Sequence, residues 1–156
     1  MQPTGSCFCG AVRYRLTAAP MFVHCCHCRD CQRQTGGAFA INALIETANI
    51  EILSDAPVMF TLKTGSGRPH DVYRCPVCLS ALWSDYGRRG VLSFLRVSTL
   101  DDPGRFPPDV HIFTRSKLPW VRIPENVRAF AVYYDMAKEW PAESLKRREA
   151  LLGPGK

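Results

Sequence analysis

The chain has 156 residues, 46% of them hydrophobic and 22% charged, a composition typical of one soluble globular domain. The formal net charge of +6 suits a nucleic-acid-binding protein, but the basic residues are scattered and thiolate ligands would offset part of that charge. No apolar run approaches the roughly 18 residues of a membrane helix, and the first residues do not resemble a signal peptide. We therefore predict a cytoplasmic protein with no membrane segment, and nucleic acid is not the expected partner.

Most of the chain is predicted to form short strands, so we expect a mainly β fold. Alternating apolar and polar residues, bounded by turn residues, predict strands at residues 12–16, 38–45, 50–53, 58–63, 91–100 and 110–114. Within 58–63, the side chains of Val58, Phe60 and Leu62 are predicted to point into the core.

Two segments are predicted to be helical. Residues 29–35 form a short helix that Gly36 ends. Residues 141–152 form a longer one with Pro141 at its first turn, and its leucines pack either on the core or on another subunit. We predict a single domain over residues 1–156, with a core at about 5–123 and a C-terminal extension at 124–156; a homo-oligomer is possible.

Seven of the eight cysteines fall into three clusters: Cys7-x-Cys9, Cys26-x-Cys28-x-x-Cys31 and Cys75-x-x-Cys78. In a reducing compartment, clustered cysteines bind metal or perform chemistry rather than form disulfides. The unequal sizes of the clusters predict two different kinds of zinc site.

The two pairs predict a closed, structural zinc site. Cys7 and Cys9 project from the same face of an extended segment, and Cys75 and Cys78 form a knuckle that wraps around a metal. The alternative is two unrelated pairs of buried cysteines.

The group of three predicts a catalytic zinc site. Cys26, Cys28 and Cys31 supply three thiolates and leave one coordination position for substrate, as in catalytic rather than structural zinc sites. His24 lies on the same strand face as Cys26 and could close the site as a fourth ligand.

For the neighbouring cysteine and histidines the sequence predicts positions rather than roles. Cys25 is predicted to be a small buried side chain on the opposite face, and His27 also points away. His70 and His111 could reach the zinc only through tertiary contacts.

The charge of the three-cysteine site indicates its chemistry. Zinc with three thiolates is formally an anion and therefore a poor Lewis acid for water, whereas a soft metal suits an incoming thiol. We predict that the substrate is a small thiol or thiol adduct and that a bond to sulfur is made or broken.

Five segments of the chain resemble one protein family. They are GSCFCGAV (5–12), CHCRDCQRQTG (26–36), CPVC (75–78), TLDDP (99–103) and HIFTRSKLPW (111–120). They are similar to the glutathione-dependent formaldehyde-activating enzymes, a group that includes the centromere protein V domain.

The resemblance implies a β-tent-like fold with two zinc ions. The structural zinc would be held by Cys7, Cys9, Cys75 and Cys78, and the catalytic zinc by Cys26, Cys28 and Cys31. The implied reaction joins glutathione to formaldehyde as S-hydroxymethylglutathione, formally the work of a carbon–sulfur lyase. The alternative function is a non-catalytic zinc module that binds a protein or nucleic acid.

One position departs from the family pattern. Leu79 follows the second knuckle cysteine where the family usually has glycine. A left-handed backbone at this exit would cost leucine about 1–2 kcal/mol, so either the knuckle exits differently or zinc binding absorbs the strain.

Further residues are candidates for substrate contacts. Arg115 and Lys117, at like-facing positions of a predicted strand, either orient substrate carboxylates or are solvated charges. His111 either moves a proton or satisfies a sheet hydrogen bond. Gln32, Thr35 and Gly36 either line the pocket or simply end the helix, and Trp120 is predicted to lie in the core.

Overall fold

A computed structural model describes residues 2–153 of the chain. The described residues are mainly β, as predicted, with eleven strands and three α-helices. The strands are β1 (Thr4–Ser6), β2 (Arg13–Leu16), β3 (Phe22–Cys26), β4 (Ala40–Glu46), β5 (Ile50–Ile52), β6 (Val58–Leu62), β7 (His70–Arg74), β8 (Ala81–Tyr86), β9 (Leu92–Arg96), β10 (Val110–Ile112) and β11 (Arg128–Ala129). The helices are α1 (Arg29–Thr35), α2 (Met136–Glu139) and α3 (Ala142–Leu152).

The strands form two sheets. The smaller has the order β1-β2-β5, and the larger has the order β11-β10-β3-β4-β9-β8-β7-β6. In the larger sheet β10 runs parallel to β3, whereas β3, β4, β9, β8, β7 and β6 follow one another antiparallel. This order places a strand on each edge of β3, and all five of its residues are buried.

Two hydrophobic clusters stabilise this arrangement, and each contains part of one cysteine group. The first surrounds Tyr14 and Trp83, whose rings meet edge to face at 5.8 Å, and includes Cys7 and Cys75. The second lies on the other side of β3 and includes Cys26 and Cys31. Each group of thiols is therefore anchored in its own part of the core.

The C-terminal extension packs on the second cluster of the same chain. Trp140 stacks on Phe22 with ring centroids 5.1 Å apart, and the Ser144 hydroxyl donates to the carbonyl of Met21 at 2.6 Å. Arg147 forms an ion pair with Glu46 at 2.6 Å. Of the two predicted uses of the C-terminal helix, packing on the core is the one observed.

The secondary-structure prediction is confirmed for helix α1, whose signals are close together in the sequence. Helix α1 has the predicted bounds, and Gly36 ends it in the left-handed conformation with φ 66°. The inward prediction for β6 is wrong, because this strand is at the sheet edge and Val58 and Phe60 are 39% and 44% exposed. Within residues 2–153, no helix combines the length and apolar character needed to cross a membrane.

Candidate functional site

The first site is built from the two cysteine pairs, which the fold brings together. The sulfurs of Cys7, Cys9, Cys75 and Cys78 all lie within 4.8 Å of one another. The Sγ of Cys9 is 3.5 Å from that of Cys7 and 3.7 Å from that of Cys75. A tetrahedral zinc with Zn–S bonds of about 2.3 Å separates its sulfurs by about 3.8 Å, so this group fits zinc.

Hydrogen bonds prepare this group to hold a cation. The Val12 amide donates to Cys7 Sγ at 3.3 Å, and Ser80 Oγ lies 3.2 Å from Cys78 Sγ. The bond from the Ser80 hydroxyl is the main cause that lowers the pKa of Cys78, to about 5. At neutral pH this cysteine is therefore a thiolate, the form that ligates metal.

Leu79 leaves the knuckle in the left-handed conformation, with φ 61°. Its amide donates to the carbonyl of Cys75 at 3.0 Å, which closes the turn around the sulfurs. The chain therefore keeps the geometry that suits glycine and places a leucine in it.

We expect the substitution Leu79→Gly to raise the free energy of unfolding by about 0.5–1 kcal/mol, since it removes a steric cost of about 1–2 kcal/mol and adds glycine's entropic cost. Leu79 is 54% exposed, so its side chain contributes little burial. Thermal unfolding of zinc-loaded protein measures the change. The control Leu79→Ala keeps the strain and should give no gain; equal gains in both variants would show that the backbone is not the cause.

The second site lies where β3 passes into α1. The sulfurs of Cys26, Cys28 and Cys31 lie within 4.8 Å of one another. Cys28 is the N-cap of α1, and its Sγ accepts the Cys31 amide at 3.3 Å. Hydrogen bonds from the other two thiols, that of Cys26 first, hold the pKa of Cys28 far below its usual range. Negative charge therefore centres on Cys28 even before a metal binds.

His24 does not complete this group. It is 1% exposed, and its Nε2 lies 2.5 Å from the hydroxyl of Tyr134. Burial lowers the pKa of His24 to about 3, so the ring is neutral. Among residues 2–153, the three sulfurs have no fourth His, Cys, Asp or Glu ligand atom within the same 4.8 Å.

A buried cation near the three sulfurs was missed by the sequence analysis. Arg96, at the end of β9, is 3% exposed. Its guanidinium donates to the amide oxygens of Asn42 and Gln34, the latter at 2.7 Å, and its Nε has no hydrogen-bond partner. None of the ion pairs found within residues 2–153 includes Arg96.

The negative charges that act on Arg96 are those of the cysteine group. Burial lowers the pKa of Arg96, and electrostatic interaction with the cysteine group, that with Cys31 first, acts in the opposite direction. A buried cation is costly without an anion nearby. The arrangement therefore pairs Arg96 with an anionic three-cysteine site rather than with a carboxylate.

Gln34 connects this cation to His70. Because the Gln34 oxygen accepts from Arg96, its amide nitrogen is the atom that lies 3.3 Å from His70 Nδ1, which must accept. The proton of the imidazole is thus on Nε2. Burial, with a smaller contribution from Arg96, lowers the pKa of His70, so the ring is neutral at pH 7.

His70 also lies close enough to Cys28 for the charge of that thiolate to act on it. The sequence contains no local signal for these contacts, because Gln34, His70 and Arg96 lie on three separate elements. Gln34 is on the helix that contains Cys31, and pairing of the strands in the large sheet brings His70 and Arg96 to it.

The predicted substrate contacts are placed differently. Residues Thr114–Ser116 form a 3-10 turn, so Arg115 and Lys117 are not like-facing residues of a strand. The ammonium of Lys117 donates to the carbonyls of Leu118 and Val121, at 3.2 and 2.7 Å. Arg115 is exposed. The strand interpretation is therefore wrong, and Lys117 fastens the loop.

Two other predicted roles also change. Trp120 is 69% exposed, so the core prediction is wrong; it follows Pro119 in a surface turn. Gln32 is buried, and its amide donates to the carbonyls of His27 and Ser116 at 2.8 and 2.9 Å. These bonds fasten the loop that carries the cysteines, which makes Gln32 a support of the site.

The chain is similar to one protein family and to individual known proteins. Residues 2–116 match the family model described as glutathione-dependent formaldehyde-activating enzyme. A Halomonas elongata protein named "Putative glutathione-dependent formaldehyde-activating enzyme" is 33% identical over 146 residues, covering 88% of this chain and 93% of its own length. A crystal structure of a Rhodobacter sphaeroides protein is 18% identical, with a TM-score of 0.46, over 81% of this chain and 98% of its own.

Proposed function

Because the chain belongs to the family of glutathione-dependent formaldehyde-activating enzymes, we propose that it catalyses the addition of glutathione, or a similar small thiol, to formaldehyde. The product would be S-hydroxymethylglutathione, and the reverse reaction is that of a carbon–sulfur lyase. The observation that carries the proposal is the group of three sulfurs beside Arg96, a buried cation that forms no ion pair with a carboxylate of residues 2–153.

We assign zinc to both cysteine groups. The four sulfurs of Cys7, Cys9, Cys75 and Cys78 would hold a structural ion, and those of Cys26, Cys28 and Cys31 a catalytic one. Zinc at the three-cysteine group would supply a soft cation that favours the thiolate form of the substrate. The sulfur separations and the hydrogen bonds to the sulfurs support this assignment.

The reaction forms one S–C bond and opens the C=O double bond of formaldehyde. The thiol proton is lost from sulfur and a proton is gained by the carbonyl oxygen, so no oxidant or reductant is needed. In this scheme Arg96 offsets the negative charge that accumulates when a substrate thiolate joins three cysteine thiolates. A buried positive charge is most effective here because water does not screen it.

We assign to His70 the role of donating a hydrogen bond to the oxygen of formaldehyde. Its neutral ring carries a proton on Nε2, and a neutral imidazole can polarise a carbonyl by donating a hydrogen bond. The hydrogen bond from the Gln34 amide fixes that tautomer, and the hydrogen bond from Arg96 fixes the orientation of the Gln34 amide. These residues orient and polarise the carbonyl, while the cysteine group holds the sulfur.

The test of this function is the rate of thiol–formaldehyde exchange at equilibrium, because the uncatalysed condensation also proceeds. We expect zinc-loaded protein to raise the NMR exchange rate between glutathione and S-hydroxymethylglutathione in proportion to enzyme concentration. S-methylglutathione, which keeps both carboxylates but has no thiol, should not compete strongly. An exchange rate equal to the uncatalysed one, in protein shown to hold zinc at both cysteine groups, would contradict the proposed function.

A further inference from the structure

The opposite face of β3 carries a third group of soft ligands. The sulfur of Cys25 and ring nitrogens of His27 and His111 lie within 4.8 Å of one another, and all three residues are buried. Cys25 alternates with the zinc-facing Cys26, and β10 pairs with β3 so that His111 is opposite Cys25. The proposed reaction uses none of these three side chains.

One distance in this group already matches a metal site. Cys25 Sγ is 3.6 Å from His27 Nε2. A tetrahedral zinc with bonds of about 2.3 Å to sulfur and about 2.05 Å to nitrogen separates the two ligands by about 3.6 Å. The geometry of this pair is therefore that of two ligands of one ion.

The second distance shows what would have to move. His27 Nε2 and His111 Nδ1 are 2.8 Å apart, so without a metal one ring donates its proton to the other. Two imidazoles on a tetrahedral zinc have nitrogens about 3.3 Å apart, which requires a shift of about 0.5 Å. The rings are nearly parallel, at 21°, and a small rotation of His111 widens the gap.

The donor atoms favour a metal cation, because thiolate sulfur and imidazole nitrogen are ligands that zinc takes in proteins. His27 Nε2 is the central donor and lies close to both Cys25 Sγ and His111 Nδ1. His27 Nδ1 is buried without a hydrogen-bond partner. With Nε2 as the ligand atom, Nδ1 carries the ring proton.

We propose that Cys25, His27 and His111 form a third metal site, for zinc or another cation that prefers nitrogen and sulfur ligands. One thiolate and two neutral imidazoles leave Zn²⁺ a net positive charge, unlike the three-cysteine site, so this ion would polarise water rather than favour thiolates. The ring of Phe39, which is 36% exposed, contacts the ring of His27 edge to face with centroids 5.4 Å apart. This inference does not depend on the proposed reaction.

The experiment measures metal content and ligand type together. Reduced protein loaded with zinc and freed of excess metal should contain three ions per chain, and X-ray absorption at the zinc edge should show imidazole scattering. The two cysteine groups contain no histidine, so that scattering can come only from the third site.

Replacing His111 by Gln should reduce the content to two ions and remove the imidazole signal. His111 belongs to neither cysteine group, so both of those ions should stay bound. The matched control is His70→Gln, another buried histidine, which should keep three ions. If His111→Gln does not fold, Cys25→Ala provides the same comparison. Wild-type protein with two ions and no imidazole scattering, or three ions retained in both variants, would overturn the third site.

Discussion

Replacing Cys28 by Ser should abolish thiol–formaldehyde turnover while leaving the fold intact. The hydroxyl of serine is a much weaker zinc ligand than a thiolate, and loss of even an outer-shell partner of a zinc ligand typically costs about 10–100-fold in metal affinity or activity. We therefore expect a loss of at least about 100-fold in the catalysed exchange rate. The NMR exchange assay gives the rate, and metal analysis gives the zinc content.

The fold should survive because of where Cys28 lies. It is the N-cap of α1, and its sulfur accepts the amide of Cys31. Serine is among the preferred N-cap residues, so the helix keeps its first hydrogen bond. A drop in activity therefore cannot be attributed to loss of α1.

The control for Cys28→Ser is Cys78→Ser, which makes the same chemical change in the four-cysteine group. That variant should lower the unfolding temperature much more, because a metal held by these four sulfurs would link the N-terminal strand to residues 75–78. Full activity in Cys28→Ser would show that the mechanism is wrong. Equal loss of stability in both variants would show that the two groups do not have separate roles.

The sequence was sufficient to group the cysteines that lie close together in the chain. Cys26, Cys28 and Cys31 meet within one strand end and one helical turn, and Gly36 marks where that turn stops. Such spacings predict metal ligands because they need no knowledge of the rest of the fold. Pairing the two cysteine pairs needed only the count of ligands that zinc requires.

The remaining parts of the site could not be predicted because they depend on strand pairing. Arg96 looks like an ordinary strand charge until β9 is placed beside β4, where its guanidinium meets Asn42. Strand β3 was not proposed as a strand over its full length, since all five of its residues are buried and no alternation is visible. The strand predicted to reach residue 114 ends at Ile112, because Phe113 has φ 55° and turns the chain.

The second large effect is expected at Arg96. The substitution Arg96→Met removes the buried positive charge at similar side-chain volume. A substrate thiolate would then join an already anionic site without compensation. We expect the affinity for glutathione to fall by about 10- to 100-fold, which corresponds to about 1.4–2.8 kcal/mol. Titration of cobalt-substituted protein with glutathione, followed by the visible absorption of the metal, measures this affinity without turnover.

Two further variants separate charge from structure. Arg96→Lys keeps the charge but loses the planar fork that reaches Asn42 and Gln34, so it should retain most of the affinity even where stability falls. Arg29→Met removes an exposed cation one residue from Cys28, and solvent screening should keep its effect below about 3-fold. If Arg96→Lys and Arg96→Met lost the same affinity, Arg96 would act by packing alone. If Arg29→Met lost as much as Arg96→Met, the effect would reflect overall charge rather than a buried counter-ion placed beside three thiolates.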